Sequence, residues 1–278
     1  MTTSIPIGRR LTAGRAGAHA VMIALSVLAI FPVFWMVQTS FRPQNEVFST
    51  ALWPSAPTLQ NYREAMTAMP IFAILWNTFV MAAATTVAQI ATGLLAAWAL
   101  VRWRFPGGRL AHSLIALSWL VPFQVVMIPN YVLATKLGLL DSLAGLVIPN
   151  AAAAFAVLVL YNAMRGFPRE VVEAARMDGA GSLRTLVEVV IPNLRAPVAS
   201  ISILCFISAW NDYFWPLLLI RRIENSVVQI GLQFFMTQEG NDWGLLMAAA
   251  TLASLPILVL YLVMQRQVVE SFMKSGIR

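Results

Sequence analysis

Apolar and polar positions along the chain alternate in long greasy runs and short charged interruptions. A helix needs about 20 apolar residues to cross about 30 Å of hydrocarbon. Six runs meet that length: residues 18–41, 71–101, 110–135, 146–164, 198–220 and 244–264. The pattern predicts an all-α integral membrane protein with an N-terminal arm (1–17), one six-span membrane domain (18–265) and a C-terminal tail (266–278). The connections are uneven. An outer loop, 42–70, holds a short helical stretch at 61–69, and 102–109 is a tight turn in which Pro106-Gly107-Gly108 stops the helix. Residues 136–142 form a short loop, and 221–243 a longer one with an amphipathic piece at 227–235. Pro32, Pro122, Pro129, Pro149, Pro216 and Pro256 fall within spans. Each removes a backbone hydrogen bond and predicts a kink.

Composition agrees with this class. Of 278 residues, 59% are hydrophobic and 11% charged, against about a quarter charged in soluble domains. The net charge of +7 invites a nucleic-acid reading, but the basic residues divide by side. With the N-terminus inside, the inner side holds 14 Lys and Arg and the outer side 5, namely Arg42, Arg63, Lys136, Arg221 and Arg222. That asymmetry predicts cytoplasmic termini, and topology then accounts for the basicity. The first run is too long for the apolar region of a cleavable leader and five more follow it. Cys205, the one cysteine, reads as a small core residue.

One stretch breaks the greasy pattern. Residues 165–197 carry Arg165, Arg169, Arg176, Arg184 and Arg195 with Glu170, Glu173, Asp178 and Glu188, on the cytoplasmic side. Pro168 suits the first helical position and Glu170 the first turn. Arg169–Glu173 and Glu173–Arg176 have the spacing of helical ion pairs. Gly179 suits the left-handed residue that ends a helix. A second helix is expected at 182–190, running into Ile191-Pro192. The product is a two-helix elbow with small residues, Ala174 and Ala175, at its tip. It fits a docking element for another protein, and it equally fits a solvated interfacial loop held by its own ion pairs.

The spacing of Glu173-Ala174-Ala175, three residues, Gly179, nine residues, Val189, one residue and Ile191-Pro192 resembles the EAA motif of bacterial ABC importer permeases. Valine at the first apolar position and isoleucine before the proline are departures. The resemblance implies the six-helix type I importer fold and a coupling loop at 165–197. Glu173, Ala174, Ala175, Asp178, Gly179, Ile191 and Pro192 would then engage a cytoplasmic ATPase. Ser40-Phe41-Arg42-Pro43, Asn61-Tyr62, Asn77-Thr78, Arg104-Phe105-Pro106-Gly107, Trp210-Asn211-Asp212-Tyr213-Phe214-Trp215-Pro216 and Trp243-Gly244-Leu245-Leu246-Met247-Ala248 further resemble the maltose-type (MalG-like) carbohydrate permeases. Implied partners are a second permease, two ATPase copies that use ATP and Mg, and an extracytoplasmic sugar-binding protein, all in a bacterial inner membrane. The C-terminal tail reaches the ATPases in that family.

Asp212 is the one acid inside a predicted span. Counting nine residues back from Arg221 at 1.5 Å each puts it about 13 Å deep, where ionisable groups usually face a cavity or a partner. With Asn211, Tyr213 and Trp215 it forms a polar–aromatic cluster suited to sugar hydroxyls and pyranose faces, or to bracing neighbouring helices. Asn77 is a further pathway position; Gln124, Asn130 and Asn150 read as interhelical glue. No Lys or Arg lies in a span, which disfavours an anionic substrate. The sequence has no P-loop, HExxH, nucleophile elbow or Cys/His metal spacing. No catalytic residue, metal ligand or bound cofactor is therefore expected on this chain. An ion-coupled transporter would want intramembrane carboxylate or histidine relays and an inverted repeat. One acid and no repeat stand against it. A membrane enzyme would want a constellation of titratable groups.

Overall fold

Where the sequence reads as six runs, the chain builds three long helices and three broken ones. The computed structural model describes residues 13–103, 105–236 and 242–276, and side chains within these up to residue 265. The arm before residue 13, Arg104 and the side chains of the tail 266–278 lie outside the described residues. Among the described residues there is no β-strand. Helices α1 (Ala13–Ser40), α3 (Ile71–Arg102) and α14 (Trp243–Gly276) are each long and apolar enough to cross a membrane. Helix α14 continues unbroken through the segment expected as a separate tail.

The other three runs are each bent at a break. Helix α4 (Gly108–Trp119) meets α5 (Phe123–Lys136) at 98°, where Pro122 takes the N-cap of α5. The second break, of 46°, separates 143–150, which begins with α6 (Leu143–Val147), from α7 (Ala154–Arg165). Pro149-Asn150 ends the first part. Residues 182–193 meet 195–219 at 86°, and the second arm has a non-helical step at 211–213 between α11 (Arg195–Trp210) and α12 (Phe214–Leu219). Proline cannot donate into the helical ladder, so the breaks at Pro122 and Pro149 follow from local chemistry. Pro32, Pro129 and Pro256 sit inside helices that continue through them.

Contacts sort the chain into two compact units. One joins residues 1–65 with 242–251, the other 66–241 with 252–278. In the first, Arg42 is fully buried yet makes no direct ion pair. Its Nε donates to Gln38 Oε1 at 2.9 Å, its Nη1 to the carbonyls of Glu46 and Ser49 at 3.0 and 2.8 Å, and its Nη2 to that of Ala51. The guanidinium also lies 5.4 Å from the Trp35 ring. Carbonyl dipoles and a π-face thus satisfy the guanidinium at hydrogen-bond range, with the Glu46 carboxylate near enough to add a coulombic attraction. Asn61, at the start of α2 (Gln60–Ala68), donates to the carbonyls of Ser40 and Arg42.

The second unit holds two apolar clusters. Leu94, Ala97 and Trp98 of α3 pack with Ala156, Leu160 and Met164 of α7, with Leu186 and Val190, and with Ile201 and Cys205 of α11. Gly93 lets α3 and α7 approach: a Cβ there would sit 3.1 Å from Leu160 Cδ1, the small-residue contact that membrane helices favour. The other cluster joins Met81, Ala134, Leu146, Trp215, Leu219 and Val227. Asp141, a non-glycine residue with φ +53°, clasps the loops beyond it. Its carboxylate accepts from the backbone N–H groups of Arg221 and Arg222 and from the Arg222 side chain at 2.5 Å. Those donors, the Arg221 N–H foremost, hold its pKa well below the usual carboxylate range.

Candidate functional site

The elbow is built from three local devices. Helix α8 (Arg169–Met177) starts after Pro168, which occupies the N-cap rather than the first helical position, and carries Glu170 in its first turn. At its other end Gly179 adopts φ +81°. The Gly179 N–H bonds the Arg176 carbonyl and the Ala180 N–H that of Ala175, both at 3.0 Å. This is the Schellman arrangement, which wants glycine at the left-handed position. Next, Trp98 Nε1 donates to Ser182 Oγ at 2.9 Å, fastening α9 (Ser182–Thr185) to the end of α3. Last, residues 186–190 form a π-type turn before α10 (Ile191–Asn193). Pro192 has no N–H to return to Glu188, so the ladder opens there. Leu186 and Val190 stay fully buried in the α3–α7 cluster. A charged helix, exposed except at Val172 and Ala175, therefore stands on a foot fixed in the core.

The predicted ion pairs of this helix do not form. Among the described residues the ion pairs are Arg184–Glu188 at 2.8 Å and Arg222–Asp141, so Arg169, Glu173 and Arg176 are left open. Exposed pairs of this kind gain well under 1 kcal/mol, too little to hold two long side chains together. Ala174 and Asp178 are exposed and Ala175 half-buried. Met177, which the sequence pattern did not single out, is 88% exposed. It and Val171 are exposed apolar side chains at opposite ends of the helix.

In the interior of the second unit lies a polar cavity of about 150 Å³. Thr85 and Gln89 line it from α3, Asn150 from the second break, and Ser208 and Asp212 from the end of α11. The Asp212 carboxylate lies against the backbone N–H groups of Trp215 and Tyr213. It thus meets the donors that open α12, as an N-capping acid does. Unwound backbone at membrane depth is tolerated where it lines a cavity, and this break does so. The continuous-helix depth count does not apply across it.

The five expected pathway residues part company here. Asp212 alone lines the cavity. Asn211 Oδ1 accepts from Gln229 at 3.2 Å and Tyr213 Oη from Gln233, while Asn77 donates to the carbonyls of Glu224 and Ser226. These three brace the loop 221–235. Trp215 is buried in the apolar cluster and donates from Nε1 to the Gly145 carbonyl at 3.0 Å. Thr85, Gln89 and Ser208 were missed. A signal was available, because Thr85 and Gln89 stand four apart on α3, and so do Ser208 and Asp212 on the other arm. On a sequence read as continuous helix each pair would share a face, although Asp212 in fact lies just past the end of α11. Gln89 Nε2 donates to the Asn150 carbonyl and Thr92 Oγ1 to that of Ala151, both at 2.9 Å, tying α3 to the second break.

A family model described as "Binding-protein-dependent transport system inner membrane component" matches residues 89–274. The chain is similar to the sn-glycerol-3-phosphate transport system permease protein UgpE of Escherichia coli (strain UTI89 / UPEC). The two are 31% identical over 268 residues, covering 93% of this chain and 95% of that one. The namesake from Brucella abortus (strain 2308) is 28% identical over 268 residues, covering 92% and 95%. Among solved structures, a chain from a bacterial ABC transporter involved in the import of the acidic polysaccharide alginate superposes with a TM-score of 0.81. It is 25% identical and covers 94% of this chain and 99% of that one. With the elbow, the broken helices and these likenesses together, the chain belongs to the binding-protein-dependent transport system inner membrane components and is a permease of an ABC importer.

Proposed function

We propose that this permease pairs with a second, homologous permease and is driven by two copies of a cytoplasmic ATPase, which bind ATP and Mg. An extracytoplasmic binding protein would deliver a neutral, hydroxyl-rich solute of the sugar class. The carrying observation is the elbow: an exposed helix, closed by Gly179, whose foot at Leu186 and Val190 is locked into the cluster shared by α3, α7 and α11. An ATPase that grips Glu173, Ala174, Ala175 and Asp178 would move those three helices as a body, with Ile191-Pro192 as the corner. Termini and elbow then lie in the cytoplasm, as the basic residues favour.

The substrate class rests on the cavity. Hydroxyls, amides and one carboxylate line it, and no Lys or Arg does, which suits sugar hydroxyls better than a phosphate. The relatives named for sn-glycerol-3-phosphate support the rival, an anionic sugar phosphate, whose charge the partner permease would have to meet. Tagging the chain in native membranes, beside a Glu173→Lys/Gly179→Asp variant, tests the assembly. The expected result is a P-loop ATPase and a second permease with wild type, and loss of the ATPase from the variant. Wild type purifying alone, with uptake that survives ATP depletion but not collapse of the proton gradient, would overturn it. Competition of sugar uptake by sn-glycerol 3-phosphate separates the two substrate classes.

A further inference from the structure

A second cavity, of about 300 Å³, opens between the inner ends of α3 and α7 and the underside of α8. That is the lower end of ligand-sized clefts, about 300–1,000 Å³. Arg102, Arg165, Arg169 and Arg176 line it, with Glu173 the one acid. Among the described residues none of these five makes an ion pair, so four guanidiniums face one void with a single carboxylate between them. Four arginines around one partly apolar cleft make it electropositive, and an anion is what such a cleft attracts. The α8 contribution is one face of the helix: Arg169, Val172, Glu173 and Arg176 follow the i, i+3, i+4, i+7 rule. Exposed Val171, Ala174 and Asp178 lie on the opposite face, so a docking partner can hold them without entering the cavity, with Glu173 at the border of both.

We infer that this cavity binds the phosphate headgroup of an anionic phospholipid from the inner leaflet. A free anion would need only the arginines. Here Trp98, Phe167 and Tyr161 add apolar and aromatic wall at the ends of helices that cross the bilayer, where a headgroup meets its glycerol backbone. Basic pockets between spans on the cytoplasmic side are suited to such headgroups, and planar guanidiniums to bidentate phosphate contacts. The lipid would sit directly under the elbow, so its presence would set the resting position of α8. The proposal rests on the cytoplasmic orientation of the elbow given above.

The test uses the full-length chain purified in mild detergent, with phosphatidylglycerol or phosphatidylcholine added and bound lipid counted by native mass spectrometry. Wild type is expected to hold one phosphatidylglycerol, preferred over phosphatidylcholine by at least about tenfold. Arg102→Gln/Arg165→Gln should lose that preference by about tenfold, the scale of one or two charge-assisted phosphate contacts. Arg184→Gln/Arg195→Gln, which removes an equal charge outside the cavity, should keep it. If wild type shows no preference, or if excess inorganic phosphate strips the lipid from it, the lipid assignment is overturned. That arm needs no variant to fold. If the double variant keeps its lipid but loses the ATPase in the assembled complex, the cavity belongs to the ATPase and the proposal falls. Failure of wild type to bring down any ATPase would sink the importer assembly instead and leaves the lipid count, read on the chain alone, to be judged separately.

Discussion

Gly145 gives the sharpest prediction about how the broken spans are held. It sits in the first turn of α6, where Ser142 Oγ accepts its N–H at 3.1 Å and its carbonyl receives the Trp215 indole. A Cβ built at this position would lie 2.1 Å from the Leu139 carbonyl oxygen and 2.7 Å from Leu219 Cδ2. Carbon and carbonyl oxygen do not normally approach closer than about 3.3 Å, so Gly145→Ala must push backbone aside by about 1 Å. Leu219, fully buried, has nowhere to go. Overpacking of this kind costs about 1–3 kcal/mol. Dragging the carbonyl off a buried indole adds about 1–3 kcal/mol more. After subtracting the roughly 1 kcal/mol by which alanine favours a helix, the net loss is about 3 kcal/mol. Gly231→Ala is the control: its nearest neighbours are side-chain ends of Ile74 and Met69 at 3.3–3.5 Å, which can yield, so about 1 kcal/mol or less is expected. Unfolding midpoints of the detergent-purified chains, followed by tryptophan emission, give the ranking. The reasoning is refuted if Gly145→Ala is no less stable than Gly231→Ala.

Three further outcomes follow from the same geometry. Gly179→Ala places a side chain in a left-handed conformation that costs about 1–2 kcal/mol; amide exchange at 178–180 should quicken about tenfold and ATP-driven uptake fall, while Gly181→Ala, with φ −67° and open space, should do neither. Asp212→Asn keeps an acceptor for the N–H groups of Tyr213 and Trp215, whereas Asp212→Leu leaves none in a polar cavity, so uptake should fall at least about tenfold further for leucine than for asparagine. At Asp141 the folded carboxyl is more acidic than in the unfolded chain, so its stabilisation is complete above about pH 4, the ordinary Asp value, and fades as pH falls through the lower folded value. Asp141→Asn should be less stable than wild type at pH 7, and the gap should close on acidification; a constant gap from pH 7 to 3 would contradict the clasp.

The spans, the elbow and its Gly179 terminus were legible because each has a local signature: run length, charge and a residue type that tolerates positive φ. Breaks were legible only as prolines, and proline alone does not say which helix yields. Pro129 and Pro256 continue inside helices, while Pro122 and Pro149 mark breaks, a difference set by neighbours that can or cannot satisfy the freed carbonyl. The clasp of Asp141 on Arg221 and Arg222 was invisible, because its partners are some eighty residues apart in sequence. Trp215 was misplaced beside Asp212 since a broken helix abolishes the 100° step that relates adjacent side chains. Three residues on, the chain faces a different core.

The position of the polar cavity relative to the two apolar clusters gives the architecture its mechanical sense. Met81 and Leu146 in its wall belong to the cluster built on Trp215, and Cys205 belongs to the one built on Trp98. The cavity is therefore the seam between two close-packed bodies, and packed bodies move as units rather than deform. A push on the elbow enters one of them through Leu186 and Val190. It cannot compress that cluster, so it must be taken up where packing is poorest: at the seam, across the non-helical step at 211–213. Beside the cavity run two hydrogen bonds, Gln89 to the Asn150 carbonyl and Thr92 to that of Ala151. In a wet cavity such bonds exchange for water at a net cost of about 1 kcal/mol each, small beside the cost of opening an apolar core. If the elbow is driven as proposed above, this permease is expected to open along its polar seam, where opening costs little.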